Sequence, residues 1–182
     1  MSYCSFVNDP DALDSADFRL HKHYHDYHYG FPIAEDDELF GRLLLEINQA
    51  GLSWTLMLRR QENFRQAYDG FSIDKVAAYT AQDVERLLND AGIIRNRLKI
   101  NAAIFNAQRI VALREDYGSW KGWLDAHHPL TKPEWVKLFK KNFRFTGGEI
   151  VGEFLMSTGY LPGAHSADCP IFTKLKTNAD RR

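Results

Sequence analysis

The feature that most restricts what this chain can fold into is a succession of helix-period segments, each with its own start or stop signal. "DDELFGRLLLEINQAG" sets Leu39, Phe40, Leu43, Leu44 and Ile47 at helical spacing and halts at Gly51. "SWTLMLRRQENFRQAYDG" restarts with Ser53 as N-cap and stops at Gly70. "SIDKVAAYT" predicts a short helix. "TAQDVERLLNDAG" opens on Thr80 and Asp83, a variant capping box, and ends at Gly92. "NRLKINAAIFNAQRIVALRED" is long and amphipathic, "KPEWVKLFKKNF" carries Pro133 in its first turn, and "EIVGEFLMSTG" ends with Gly159. Few stretches alternate with period two, and there is no internal repeat, low-complexity tract or linker. The expected class is all-α, in a single helical domain over residues 1–182.

A chain of 182 residues suits one domain, and 45% apolar content supplies its core. No run approaches the ~18 uninterrupted apolar residues of a membrane span. "MSYCSFVNDPDALD" has neither the basic start nor the apolar stretch of a secretory signal, so a cytoplasmic location and no membrane partner are expected. A net charge of −1 neither requires nor excludes nucleic acid, since a local basic patch on a neutral body suffices to bind it.

Two cysteines, Cys4 and Cys169, lie near opposite ends. A disulfide does not suit a reducing compartment, which leaves unrelated buried thiols or a metal site. "AHSADC" places His165 and Cys169 four residues apart, a spacing that suits tetrahedral zinc. Cys4 and one histidine of "HKHYHDYHYGFP" would complete a Cys₂His₂ set. Four protein ligands leave no open position, so such a zinc would be structural.

Glu46 lies about 20° from Leu39 and about 40° from Ala50 on a helical wheel, at the margin of the apolar stripe. It either pairs with Arg42 one turn earlier or serves as a pocket carboxylate for a cationic or hydrogen-bonding ligand. "NQAGLSW" then reads as a tight turn whose Leu52 is either an apolar wedge for a base stack or an ordinary core contact. "LLNDAGIIRNRLKI" joins two helices with Gly92, Arg95, Arg97 and Lys99 at hand; its amides and cations would suit a phosphate, though such hairpins also serve simply to turn the chain. His127 and His128 of "AHHPL" read as solvent-facing loop residues, and His21 and His23 as loop residues.

In this order the segments resemble the 3-methyladenine DNA glycosylase I family, the Tag-type members of the helix-hairpin-helix glycosylases. The strongest blocks are "LEINQAGLSW" (45–54) and "DVERLLNDAGIIRNRLKI" (83–100), supported by "YHDYHYGFP", "KKNFRFTGG" and "AHSADC". The resemblance implies a helix-hairpin-helix over about residues 81–113 and a zinc site of Cys4, His25, His165 and Cys169. It makes Glu46 the catalytic carboxylate of the base pocket, with Tyr24 and Trp54 as aromatic walls. It implies Gly51, Leu52 and Ser53 in the duplex-wedging turn, and Gly92, Arg95 and Arg97 on phosphates. The expected activity is monofunctional excision of alkylated adenine by base flipping, on double-stranded DNA, by a monomer carrying structural zinc. Related enzymes steer water with an aspartate after the hairpin, a residue this family is not expected to depend on; Asp116 is the nearest candidate by position, its other role being a helix-end residue.

The chain departs from the family pattern in places. Phe6 and Tyr29 stand where tryptophans are usual, and both are expected to contact substrate; His28 replaces an acidic residue. Gly148, Glu149, Gly152 and Met156 replace a Thr-Thr pair, a tyrosine and a glutamine. These changes bear on lesion preference, and the rival expectations are a zinc-containing damaged-DNA binder without catalysis and a purely structural helical domain.

Overall fold

The computed structural model describes residues 2–179, and all regular structure among them is helical. Two compact units emerge: residues 1–32 with 155–182, and residues 33–154.

In the larger unit, α3 (Asp36–Gln49) buries Leu39, Phe40, Leu43, Leu44, Leu45 and Ile47. Its first turn holds Asp36, Asp37 and Glu38, which complement the positive end of the helix dipole. Asp36 also reaches outside its helix, accepting the N–H groups of Trp120 and Lys121 at 2.8 Å each. Those amides open α8 (Trp120–His127), so one carboxylate satisfies donors of a second helix N-terminus. Ser53 caps α4 (Trp54–Ala67) by accepting from Leu56 N–H, as its position predicts. Then follow α5 (Ile73–Ala77) and α6 (Ala81–Leu88), whose Thr80–Asp83 capping box is formed.

The long helix α7 (Arg97–Tyr117) packs along α5 and α8 and buries Ile100, Ala102, Ala103, Ala107 and Ile110. The helix α9 (Lys132–Asn142) opens on a second capping box, Thr131 with Glu134. Trp120, Trp123, Trp135, Phe139, Phe143 and Phe154 form an aromatic core, Phe154 belonging to α10 (Gly148–Ser157) and stacking on Trp120 at 5.6 Å.

The terminal unit contains α1 (Tyr3–Val7), α2 (Ala16–Tyr27) and α11 (Pro170–Ala179). Periodicity in the sequence marks none of the three, nor α8. His21 and His23 are therefore helical rather than loop residues: α2 is polar on most faces, so it has no clean apolar stripe to reveal it. His127 closes α8, half-buried, with Nδ1 2.7 Å from the carbonyl of Trp123, so it too is not a solvent-facing loop residue. His128 is exposed as expected.

Candidate functional site

The expected metal ligands converge in the terminal unit. Cys4, His25, His165 and Cys169 are all buried, and their ligand atoms lie within 4.8 Å of one another. His25 Nε2 is 3.4 Å from Cys4 Sγ and 3.6 Å from Cys169 Sγ; His165 Nδ1 is 3.7 Å and 3.5 Å from the same sulfurs. The two nitrogens are 3.1 Å apart. Tetrahedral zinc with ordinary Zn–N and Zn–S bonds spaces its ligands by about 3.3 Å between nitrogens and about 3.6 Å between nitrogen and sulfur. The donor set fits that ion in chemistry, and its nitrogen–nitrogen and nitrogen–sulfur spacings match.

The outer contacts choose the tautomers. His25 Nδ1 donates to the Asp26 carboxylate at 2.8 Å, and His165 Nε2 donates to the Tyr29 carbonyl at 2.7 Å. Each ring therefore turns its lone pair inward, the arrangement metal-ligating histidines need. Burial opposes ionisation of Asp26, yet hydrogen bonds from Lys22 and His25 hold its pKa below the usual carboxylate value. Gly30 makes the close packing possible: a Cβ there would sit 2.7 Å from Ala164 Cβ and 3.2 Å from the His165 ring.

Around this cluster stand three of the aromatic candidates. Tyr24 and Tyr29 are buried, their rings 5.7 Å apart, and Tyr29 packs edge-on against His165 at 5.6 Å. Phe6 is 39% exposed and meets the rings of Tyr3, Phe18 and His21. Tyr3, absent from the sequence reading, sits at the centre of this group, 5.3 Å from Tyr29 and 5.6 Å from His25.

In the larger unit, Glu46 is 5% exposed. Among the described residues no hydrogen bond or ion pair reaches its carboxyl, so the pairing with Arg42 is reduced to a through-space attraction. Burial raises its pKa to about 8; Arg42 pulls down and Glu153 pushes up. Glu153 is thus the second acid in reach of this carboxyl. The sequence pattern points instead to Glu149, whose side chain is 93% exposed and 3.5 Å from Lys132 Nζ. Lys132 also covers Gly152, where a Cβ would meet its Nζ at 2.8 Å. Met156 is half-buried, its Sδ beside Gly163.

Past Glu46 the helix ends in a turn. Gly51 takes φ +81°, a left-handed conformation that suits glycine, and Leu52 is 39% exposed. Leu52 N–H donates to Gln49 O, and Gln49 Nε2 donates back to Leu52 O, closing the turn on itself. Trp54, first residue of α4, is half-buried.

Lys99 departs from expectation. Grouped by sequence with the phosphate-facing cations, it is instead 8% exposed, and its ammonium donates at 3.0 Å to the carbonyls of Asn48 and Ala50. Burial lowers its pKa. It therefore caps the C-terminal end of α3, where the carbonyls and the helix dipole favour a cation.

Between α6 and α7, Arg60 and Asn63 of α4 donate to the carbonyls of Ile93 and Gly92. The Gly92 N–H is already taken by Asp90 Oδ1 at 2.8 Å, which removes it as a phosphate donor. The amides of Ile94 and Arg95 meet no acceptor among the described residues. Arg95 is exposed, whereas Arg97 is ion-paired to Glu85 at 2.6 Å. Asp116 is exposed in the last turn of α7, in keeping with a helix-end role.

This fold is that of helical DNA-repair glycosylases. It superposes with a TM-score of 0.77 and 28% identity on a variant of 3-methyladenine DNA glycosylase I in complex with 3-methyladenine, covering 94% of this chain and 97% of that one. The Staphylococcus aureus enzyme, solved to explain 3-methyladenine recognition, gives a TM-score of 0.76 at 27% identity, covering 93% and 97%. The chain belongs to the methyladenine glycosylase family, whose sequence model matches residues 15–173. The Haemophilus influenzae (strain ATCC 51907 / DSM 11121 / KW20 / Rd) DNA-3-methyladenine glycosylase is 32% identical over 169 residues, which cover 82% of this chain and 91% of that protein. DNA-3-methyladenine glycosylase 1 of Escherichia coli (strain K12) is 45% identical over 93 residues, about half of each.

Proposed function

We propose that this chain is a monofunctional DNA N-glycosylase that releases 3-methyladenine from double-stranded DNA as the first step of base excision repair. The observation that carries the reading is Glu46, a buried carboxyl without a hydrogen-bonding or ionic partner among the described residues, on a chain matched to its family over residues 15–173. Adenine methylated at N3 is cationic while attached to deoxyribose and departs as a neutral base, so it needs no proton. Water supplies the oxygen at C1′ and loses one proton to solvent.

An enzyme for this reaction has to extrude the nucleotide and hold the cation where its charge is stabilised. With a pKa of about 8, Glu46 is protonated in the free protein at neutral pH. An entering cation draws it into the ionised form, and the resulting anion stabilises the positive charge that builds on the sugar. Trp54 lies beyond the turn that ends Glu46's helix; Tyr24, Tyr29 and Phe6 join the substrate-contacting set on the strength of the resemblance. Leu52, exposed on a glycine turn, suits the wedge that fills the vacated stack, flanked by Gly51 and Ser53. Residues 81–113 act as the helix-hairpin-helix, with the amides of Ile94 and Arg95 and the Arg95 guanidinium on phosphate. Gly92 supplies the close turn rather than a donor, and Arg97 reaches DNA only by exchanging Glu85 for phosphate.

Cys4, His25, His165 and Cys169 hold zinc, which supplies a structural crosslink and no reactive position. One zinc per chain, measured on purified protein, tests this directly. The activity is tested by incubating the protein with methylated duplex DNA and separating the released bases. Release of 3-methyladenine is expected, and a preparation that releases none, with Glu46→Gln indistinguishable from wild type, removes the reading.

A further inference from the structure

Phe145, between α9 and α10, has φ +56° and a side chain 43% exposed. A left-handed backbone is costly for a bulky residue, and an exposed ring forgoes burial. Phe71 is the internal control: its φ is +62°, but its ring is 1% exposed beneath the Arg65 guanidinium at 4.9 Å, so packing offsets the strain. Phe145 makes no ring contact among the described residues.

The segment is held in this conformation from both sides. Asn106, 1% exposed on α7, donates to the Arg144 carbonyl at 3.1 Å and accepts the Arg144 N–H at 2.8 Å. The Arg144 guanidinium lies 3.9 Å over the Phe105 ring, and the buried Thr146 hydroxyl donates to Phe143 O. Asn106 follows Lys99 by two helical turns, so both stand on one face of α7, roughly 10 Å apart along its axis. One face of one helix therefore seats both the Leu52 turn, through Lys99, and the Phe145 segment, through Asn106. Lys140, Lys141 and Arg144 precede Phe145 within five residues, and all three are exposed.

We infer that Phe145 is a stacking platform for the nucleobase left unpaired when the duplex is opened beside Leu52. An exposed, rigidly held aromatic next to Arg144, in a segment seated on the same face of α7 as the apolar wedge, fits a base π-face and its phosphates. The inference rests on the DNA-binding part of the function proposed above.

The test measures binding to a duplex carrying a tetrahydrofuran abasic analogue opposite an ordinary base, and to a duplex with the analogue on both strands. Phe145→Gly, which relieves the backbone, is expected to melt no lower than wild type, yet bind the first duplex about tenfold more weakly. Phe145→Trp is expected to restore binding, and the difference between wild type and Phe145→Gly to vanish on the second duplex. Affinity of Phe145→Gly within twofold of wild type on the first duplex overturns the inference. So does a lower melting temperature with equal losses on both duplexes, which marks a structural residue. If wild-type protein releases no 3-methyladenine while the difference on the first duplex persists, the glycosylase reading falls and this one stands. The converse pattern removes this one alone.

Discussion

Two buried polar sites of this molecule are built on opposite principles. At the Cys4–His25–His165–Cys169 cluster every ligand atom faces another, and each outward-facing imidazole nitrogen has an acceptor. At the C-terminal half of α3 the reverse holds. The Glu46 carboxyl has no hydrogen-bonding partner, and Asn48 Oδ1 is buried without one among the described residues. Burying a polar group costs free energy unless it is paired, so the first site stabilises the fold while the second draws on it. On the function proposed above, receiving a cationic base calls for such an unsatisfied carboxyl, and the surrounding structure has to tolerate one.

The largest expected effect breaks the first site. Cys169→Ser removes one ligand and leaves three donors packed around a defect. Zinc content is expected to fall from about one per chain to near none. Stability should drop on the order of 5 kcal/mol, seen as a melting temperature roughly 10–20 °C lower. A variant that keeps its melting temperature while losing metal would show that the termini hold without the ion.

Glu46→Gln probes the other site and should act in the opposite sense on stability. Folding raises the Glu46 pKa to about 8 from 4.5, so the stability this group contributes is intact below pH 4.5 and is lost as pH rises toward 8. Removing the ionisable group should therefore leave stability unchanged near pH 4 and raise it by about 1–3 kcal/mol at pH 8. Excision should fall on the order of 10²-fold. For wild type, kcat/KM should climb with pH to a plateau above about 8, and the variant's profile should be flat across that range. Equal melting curves at both pH values would mean the carboxyl is solvated.

The legibility of these two regions differed for physical reasons. Cysteine and histidine are few and chemically distinctive, so Cys4 and the His165–Cys169 spacing were readable, and the resemblance selected His25. The helix around His25 was not, because α2 is held by ring contacts and ligands rather than by an apolar stripe. The stop of α3 at Gly51, the Ser53 cap of α4 and the Thr80–Asp83 box of α6 were legible because those signals are local, whereas α6 already ends at Leu88, short of Gly92. Glu46 was located but placed at a margin, whereas α3 is buried on nearly every face from Leu39 to Asn48. Lys99 was misread because two carbonyls fifty residues away decide where its ammonium goes. Glu153 and Tyr3 gave no periodic or spacing signal; only the packing of distant segments brings them to their sites.

Asp26→Asn sharpens the contrast by loosening the first site without removing a ligand. The amide still accepts from His25 Nδ1 but carries no charge, so the imidazole becomes a weaker donor to metal. Zinc affinity is expected to fall about 10–100-fold, measured by competition with a chelator, with fold and ligand set intact. An unchanged affinity would mean that the orientation of His25, and not the charge behind it, is what Asp26 supplies.

Lys99→Met gives the smallest change and bears on how the second site tolerates its own cost. The thioether fills most of the same volume but cannot donate to Asn48 O or Ala50 O, leaving two carbonyls at the end of α3 without their cation. Stability is expected to fall by about 1–2 kcal/mol, the usual consequence of stranding buried acceptors. Because those carbonyls belong to the end of α3, excision should fall further than stability alone explains, while Lys99→Arg recovers part of both. Chemical denaturation and single-turnover excision on the same preparations separate the two quantities. A Met variant that loses stability but excises at the wild-type rate would make Lys99 a helix cap only. The opposite result, full stability with impaired excision, would place it with Glu46 among residues kept for function rather than for the fold.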